Sequence, residues 1–410
     1  MLTNQEKEIL RQLASEYMSY ASLPVQKEKI SLWKSLNRSK MQRPMVTIDQ
    51  LPWNELVCDE LVCKVSDPIF RNVENYLRKA IYKWKNFPVD MVLDPFIPVS
   101  KSVVNSGYGI HGITHLIGAE TTAPSQHYEN VLQHTEDIEK IKDMTFSIDE
   151  EDTKLHEAEA HEIFDGIAPV LMTGGVGFHL GIWDAISCLM GVEDIYYDLV
   201  DRPGHIHAIL NRFTESAIHG IEEANRLELH DDTTNLCHCS HIYTDELLPD
   251  SGQSKGPNSK NCWAFGLAQL FTSVGKDTFE EFELPYISRM AEYFGMIYYG
   301  CCDRLDDRLD VVKKIPNVKK VSCSPWSDRN AFAEKIGGAL TMSIKPTPAF
   351  LATGIFDKDI IKKDIEDACN LAKKNNLNME FLLKDISTVQ NQPSRITEWA
   401  NLVMGIVESY

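Results

Sequence analysis

Residues 296–345 read MIYYGCCDRLDDRLDVVKKIPNVKKVSCSPWSDRNAFAEKIGGALTMSIK. Three short β-type runs lie in this stretch, Met296–Cys301, Lys320–Cys323 and Leu340–Ile344, with helical patterns between them. Parallel strands covered on both faces read as apolar-dominated runs rather than strict alternations, and these runs have that character. Similar runs recur on either side of the stretch, at Val46–Asp49, Met91–Ile97, Pro169–Thr173, Asn235–Tyr243 and Met379–Leu383. Eight β/α alternations predict an α/β protein built as a (β/α)8 TIM-type barrel. A doubly wound sheet is the other fold considered, but no G-x-G-x-x-G or P-loop pattern supports one.

Helical signals fill the intervals. Phe279, Phe282, Tyr286, Met290 and Tyr293 recur at spacings of three and four, and Pro285 in their midst predicts a break or kink. Asp357–Asn375 and Ser394–Val407 read as helices around the last strand. Ile9, Leu10, Leu13 and Tyr17 mark an N-terminal helical extension over residues 1–40, ahead of a barrel over 41–410. Two long insertions, at about 100–165 and 244–262, interrupt the rhythm, and loops of that length are usually functional or disordered.

The 410 residues are 43% hydrophobic and 25% charged, with a formal net charge of −19. That acidity disfavours nucleic acid and anionic membrane as partners. No apolar run reaches the ~18 residues of a membrane span, and the start MLTNQEKEIL lacks the apolar core of a signal peptide, so a soluble cytoplasmic protein is expected. Ten cysteines are too sparse for a disulfide scaffold. Cys237, Cys239, Cys301 and Cys302 are clustered, whereas Cys58, Cys63, Cys188 and Cys369 are scattered.

In a barrel the reacting groups lie at the carboxyl ends of the strands. Here those positions include Asp49, Gln50, Asp94, Cys239, His241, Cys301–Asp303, Ser324, Trp326, Lys345, Asp385 and Ser387. Cys262 begins what reads as a helical segment after the second insertion. Thiolates from separate elements, with an imidazole or carboxylate, suit Zn2+ with one position open. The alternative is a set of buried, inert thiols. His238 and His241 flank the end of the fourth run, as ligands, acid/base groups or satisfied structural residues. His111, His115 and His127 fall in the first insertion, where Gly107, Gly109 and Gly112 suggest a movable lid, while Asp149–Asp152 reads as solvated surface.

Several segments resemble the uroporphyrinogen decarboxylase superfamily and, within it, the corrinoid-dependent methyltransferase-like branch of anaerobic bacteria. They are Leu51-Pro52-Trp53-Asn54-Glu55-Leu56, Phe279–Pro285, Tyr298–Asp303, Ile315–Val318, Ser324–Asp328, Lys345–Ala349 and Leu383–Val389, so the resemblance runs from about residue 40 to the end. The decarboxylases of that superfamily carry an arginine-rich signature after the first strand. Asp49–Glu55 has no arginine and has carboxylates, which would repel a polyanionic tetrapyrrole. The thiol-methylating members hold zinc through a His-x-Cys pair and a later cysteine. Tyr299-Gly300-Cys301 lacks that histidine, and Asp385 stands near the last strand where the later cysteine is expected.

The resemblance implies a methyltransferase, the first component of a demethylation system, moving a methyl group from a small methylated substrate to the cob(I)alamin of a corrinoid protein. An O-methyl aryl ether is the donor considered. The expected site has Cys262, Cys301, Cys302 and His238 as ligands to Zn2+. Asp385, His241 and Asp303 are the expected catalytic groups. Trp53, Trp263, Trp326 and Lys345 are expected to bind substrate. A decarboxylase of a small carboxylate and a non-catalytic barrel that binds a ligand or a corrinoid protein are the alternatives, and homodimerisation is left open.

Overall fold

The structure, a computed structural model, describes residues 2–118, 125–230, 235–247 and 258–410. Its centre is a curled, six-stranded parallel sheet in a mixed α/β fold. The strands are β1 (Met45–Ile48), β4 (Trp263–Gly266), β5 (Met296–Tyr299), β6 (Val318–Cys323), β7 (Thr341–Ile344) and β8 (Asn378–Leu383), in the order β1-β8-β7-β6-β5-β4. Two further strands, β2 (Ile97–Ser100) and β3 (Val170–Thr173), form a second parallel pair. Pairing between the two sheets is sparse. Asp90 N donates to the Val46 carbonyl at 2.9 Å on one side. On the other, a single parallel bridge joins His179 to Phe265.

The strands are two-faced. Val321, Cys323, Met342, Ile344, Met379, Phe381 and Leu383 belong to the large apolar cluster shared with the surrounding helices. Their alternates Lys320, Ser322, Thr341, Ser343, Asn378 and Glu380 are buried on the opposite, polar face. There Lys320 Nζ lies 2.7 Å from Glu380 Oε2, and Ser240 Oγ donates to the same oxygen at 2.8 Å. A charge buried in this way persists only because it is paired and hydrogen-bonded.

Helices pack on both sheets. Helix α1 (Asn4–Ala21) starts with a capping box between Thr3 and Glu6, followed by α2 (Pro24–Asn37). Helix α3 (Pro68–Asn86) starts at Asp67, whose side chain accepts from Ile69 N and Phe70 N, with proline in the first turn where its missing N–H costs nothing. Helix α4 (Glu150–Phe164) uses the acidic run: Asp149 is its cap and Glu150, Glu151 and Asp152 its first turn, favourable against the helix dipole. Helix α5 (Pro203–Arg226) follows β3. The Phe279–Tyr293 stripe splits into α6 (Lys276–Phe282) and α7 (Leu284–Ala291), broken at Glu283 just before Pro285. Helix α8 (Lys358–Asn375) is capped by Asp357 and buries Ile361, Ile365, Ala368 and Ala372, and α9 (Ser394–Val407) closes the chain.

Three expectations need correction. The second strand is Ile97–Ser100, not Met91–Ile97. Asn235–Tyr243 is not a sheet strand: Leu236–Cys237 and Ser240–His241 pair antiparallel around a turn in which His238 and Cys239 have φ of 43° and 67°. The fourth strand is instead Trp263–Gly266, in the segment read as helix. The first insertion is largely structured, with antiparallel pairs Val103–Asn105/Phe146–Ile148 and Ile113–Ile117/Ser125–Glu129. His111, His115 and His127 are all exposed there. Most of the second insertion, 248–257, lies outside the described residues. Among the described residues no helix is long and apolar enough to cross a membrane.

Candidate active site at the carboxyl ends of the strands

Three strand ends turn through left-handed backbone: Gln50 after β1 (φ 48°), Gly300 after β5 (φ 88°) and Asp385 after β8 (φ 56°). The positive φ is what favours glycine at 300; a Cβ there would also crowd Leu305 Cδ1 at 2.5 Å, which the end of that flexible side chain could relieve. The turn is held by Asp303, whose Oδ1 accepts from Cys301 N at 2.7 Å. It presents Cys301 and Cys302 together, with their sulfurs 3.6 Å apart.

Opposite them, at the end of β8, Lys384 points its ammonium between two partners. Nζ is 3.1 Å from Cys301 Sγ and 3.1 Å from His238 Nε2. An ammonium only donates, so neutral His238 carries its own proton on Nδ1. The His238 ring lies flat on Phe265, centroids 3.7 Å apart. Cys302 Sγ is 3.2 Å from Asp385 Oδ2, and Lys384 Nζ is 3.4 Å from the same carboxylate oxygen. The Cys302 thiol beside it, then His238 and the Lys384 ammonium, outweigh burial and hold Cys301 far below an ordinary thiol. Burial pulls Lys384 down, but the Cys301 thiolate and Asp385 keep it above the usual lysine value. One buried ammonium–thiolate pair results.

Lys345, expected in substrate binding, is buried at the end of β7, where Nζ donates to the Tyr298 hydroxyl and lies 3.0 Å from Ser343 Oγ. Burial, reinforced by Lys384, lowers it to about 8.

The expected residues thus divide. Cys301, Cys302, His238 and Asp385 come together, with Lys345 at a neighbouring strand end. Cys262 does not join them: it precedes the first residue of β4, and its carbonyl accepts from Gly295 N just ahead of β5. That is the amino end of the sheet, and four residues of strand at ~3.3 Å each separate it from the carboxyl end. Trp263, beside it, is buried in the interior rather than at the rim. His241 is not part of this cluster and lines the 700 Å3 cavity instead. It is buried between Trp33 and Tyr243, accepts from Val92 N at 3.3 Å, and is pushed down to about 3 by burial. Asp303, pushed up to about 6 by burial, holds Cys301 N with Oδ1, while its Oδ2 is buried without a hydrogen-bond partner. Trp326 is 73% exposed and is not among the residues lining the three cavities that meet after β3. Trp53 packs on Tyr82, with Lys79 Nζ 4.9 Å over its ring, and lines a cavity between β1 and α3.

The Zn2+ set does not fit this geometry. Zinc stands ~2.0–2.3 Å from nitrogen and sulfur ligands, so an ion shared by His238 and Cys301 would need the place that the Lys384 ammonium takes. Among the described residues no group of three or more His, Cys, Asp or Glu is arranged to hold a metal ion.

The sequence reading missed Lys384, although it stands next to Asp385. It also missed Thr173-Gly174-Gly175-Val176-Gly177, after β3. Cavities of about 300, 610 and 700 Å3 meet at this loop, and Val176 and Gly177 line all three. A Cβ on Gly174 would lie 2.1 Å from the Leu229 carbonyl oxygen, and Gly175 has φ of 65°. Two adjacent glycines directly after a β-type run were the available signal. The middle cavity reaches Lys101, His179 and Asp184, and Asp184 is raised by burial and, further, by the Cys301 thiolate.

The fold is similar to that of a methyltransferase from Methanosarcina mazei, with a TM-score of 0.51, covering 92% of this chain and 98% of the other at 10% identity. At that identity the likeness is one of fold. No protein-family model and no curated protein matches the chain.

Proposed function

We propose that the eight parallel strands form one (β/α)8-type barrel over residues 41–410, extended by α1 and α2, and that it is a methyltransferase. In this reading it belongs to the uroporphyrinogen decarboxylase-like group and moves a methyl group from a small O-methyl aryl ether to the cob(I)alamin of a partner corrinoid protein. The observation that carries the reading is the cluster of buried Lys384 and Cys301 with half-buried His238 and Cys302 and the exposed Asp385, with Lys345 nearby, at the carboxyl ends of the strands. The fold it shares with a protein named a methyltransferase supports it further.

The corrinoid supplies the nucleophile that takes the methyl carbon. The carbon–oxygen bond breaks, and the leaving oxygen gains negative charge and then a proton. Lys384 and Lys345 provide two fixed ammonium groups where that charge develops, which is the part the sequence resemblance gives to Zn2+. Lys345, near 8, is matched to give up a proton to a phenolate close to neutral pH. Asp385, exposed at the rim, orients Cys302 and Lys384.

The test supplies purified protein with a methoxyarene, with and without cob(I)alamin or a reduced corrinoid protein. Cob(I)alamin absorbance should fall as methylcobalamin forms only when all components are present, and Lys384→Met should slow transfer at least a hundredfold. Turnover without a corrinoid would overturn the reading. A second reading rests on the same two lysines, which would also bind a carboxylate. Release of CO2 from a small acid, unaffected by corrinoid, would establish a decarboxylase instead.

A further inference from the structure

The largest of the three cavities, about 700 Å3, lies between the end of β1, helix α3 and the loop after β3. Small-molecule sites usually measure roughly 300–1,000 Å3. Cys239, next in sequence to His238, is part of its wall. One stripe of α3 lines it: Asn72, Asn75, Lys79 and Lys83, at helical spacings of three and four. Lys83 is engaged, with Nζ 3.3 Å from Asp49 Oδ1. The turn before it is not. The half-buried Lys79 ammonium lies over the Trp53 ring with no carboxylate at ion-pair distance among the described residues. The side-chain amides of Asn72 and Asn75 likewise bond to nothing there. Asp94 lines the strand side of the cavity, where its Oδ1 accepts from the Tyr243 hydroxyl at 2.8 Å and from Asn235 Nδ2 at 3.1 Å. Those two bonds fix the carboxylate in place. Ile48, Val92, Leu93, Phe96 and Pro98 add an apolar side.

We infer that this cavity binds a small zwitterion, an amino acid with an apolar body. Its carboxylate meets Lys79 and the two amides, its ammonium meets Asp94, and its carbon chain lies on the apolar side. Charge decides the class. The charged residues among those lining the cavity are Lys79, Lys83, Asp49 and Asp94, a balanced set, and burial keeps His241 neutral. A zwitterion preserves that balance and matches both signs. A simple carboxylate would leave the cavity net negative, and a phosphate more so, in a chain whose net charge is already −19. A simple amine would leave Lys79 without a counter-charge, and an uncharged molecule would desolvate both charges with no return. The site stands apart from the methyl-transfer reading, which uses Lys384 and Lys345 at other strand ends.

Isothermal titration of the purified full chain with leucine, methionine and 6-aminohexanoate tests it. Saturable binding of at least one is expected. The same carbon skeleton without its amine, and without its carboxylate, should each bind at least tenfold more weakly. Lys79→Met, at a half-buried helix position with no bonded partner to orphan, should fold and weaken the amino acid at least tenfold. Lys79→Arg, which keeps the charge, should recover most of that loss, and Asn75→Ala should weaken binding about threefold. Three results would each overturn the inference: no saturable binding by any of the probes, the acid alone or inorganic phosphate binding as tightly as the amino acid, or unchanged affinity in folded Lys79→Met. The outcome is read without any methyl donor or acceptor, so it neither supports nor defeats the proposed reaction.

Discussion

At the scale of single residues, the ammonium of Lys384 decides the chemistry. It takes the place a metal would need between an imidazole and a thiolate, and its charge adds to the Cys302 thiol and His238 in keeping that thiolate ionised. The same cysteine in an apolar wall would be a neutral thiol, as Cys323 is, pushed up to about 12 by burial. The expected outcome is specific. At pH 6 the ultraviolet absorbance of wild-type protein minus that of Cys301→Ser should equal one thiolate. That difference should vanish on a Lys384→Met background. A difference that survives would show that Cys302 and His238 suffice. Single residues were also the scale at which the sequence was least legible. Cys301, Cys302, His238 and Asp385 were singled out because their types are reactive and they follow β-type runs. Cys262 drew the same attention through its type alone, and only the register of β4 against β5 shows it at the wrong end.

Among the elements, most strands and helices were readable because one face packs on helices and the other is also buried. The failures have physical causes. Trp263–Gly266 is four residues long and ends in glycine, too short for periodicity to tell strand from helix. Asn235–Tyr243 is β-type in composition, but it turns at His238 and Cys239, two non-glycine residues in left-handed backbone that composition does not announce. The break at Pro285 was legible, and it carries a consequence of its own. Glu283, at that break, is buried and receives hydrogen bonds from Trp183 Nε1 at 3.1 Å and the Tyr299 hydroxyl at 2.9 Å. Burial raises it to about 8 from its ordinary 4.5. The folded state therefore holds a proton that the unfolded chain releases above 4.5. Stability from this group is complete below 4.5, falls as pH rises, and is lost through about 8. Glu283→Gln, which keeps the neutral form, should leave stability below about pH 4.5 little changed and flatten the decline between about pH 4.5 and 8, as read from urea midpoints. An unchanged slope in the variant would remove Glu283 as its source.

For the whole molecule, a polar interior is the defining trait, and the apolar character of the strand sequences concealed it. Lys320 and Glu380 are 0% and 1% exposed and neutralise each other, 2.7 Å apart. Glu380→Gln leaves a buried ammonium unpaired and should cost about 3–5 kcal/mol in urea unfolding. The double change Lys320→Met with Glu380→Leu should recover most of that loss, because replacing a buried pair by apolar residues is often neutral. If the single variant unfolds at the wild-type midpoint, solvent reaches the pair. The loop Gly174–Gly177 bears on the whole molecule in another way. Val176 and Gly177 form part of the wall of three cavities, so an occupant of one that displaces them reshapes the other two. An occupant that immobilises the loop from one side has already met the entropic cost of ordering it for a second. Two small molecules, one in each chamber, would then bind with an affinity for each that depends on the presence of the other, with no subunit rearrangement to link them.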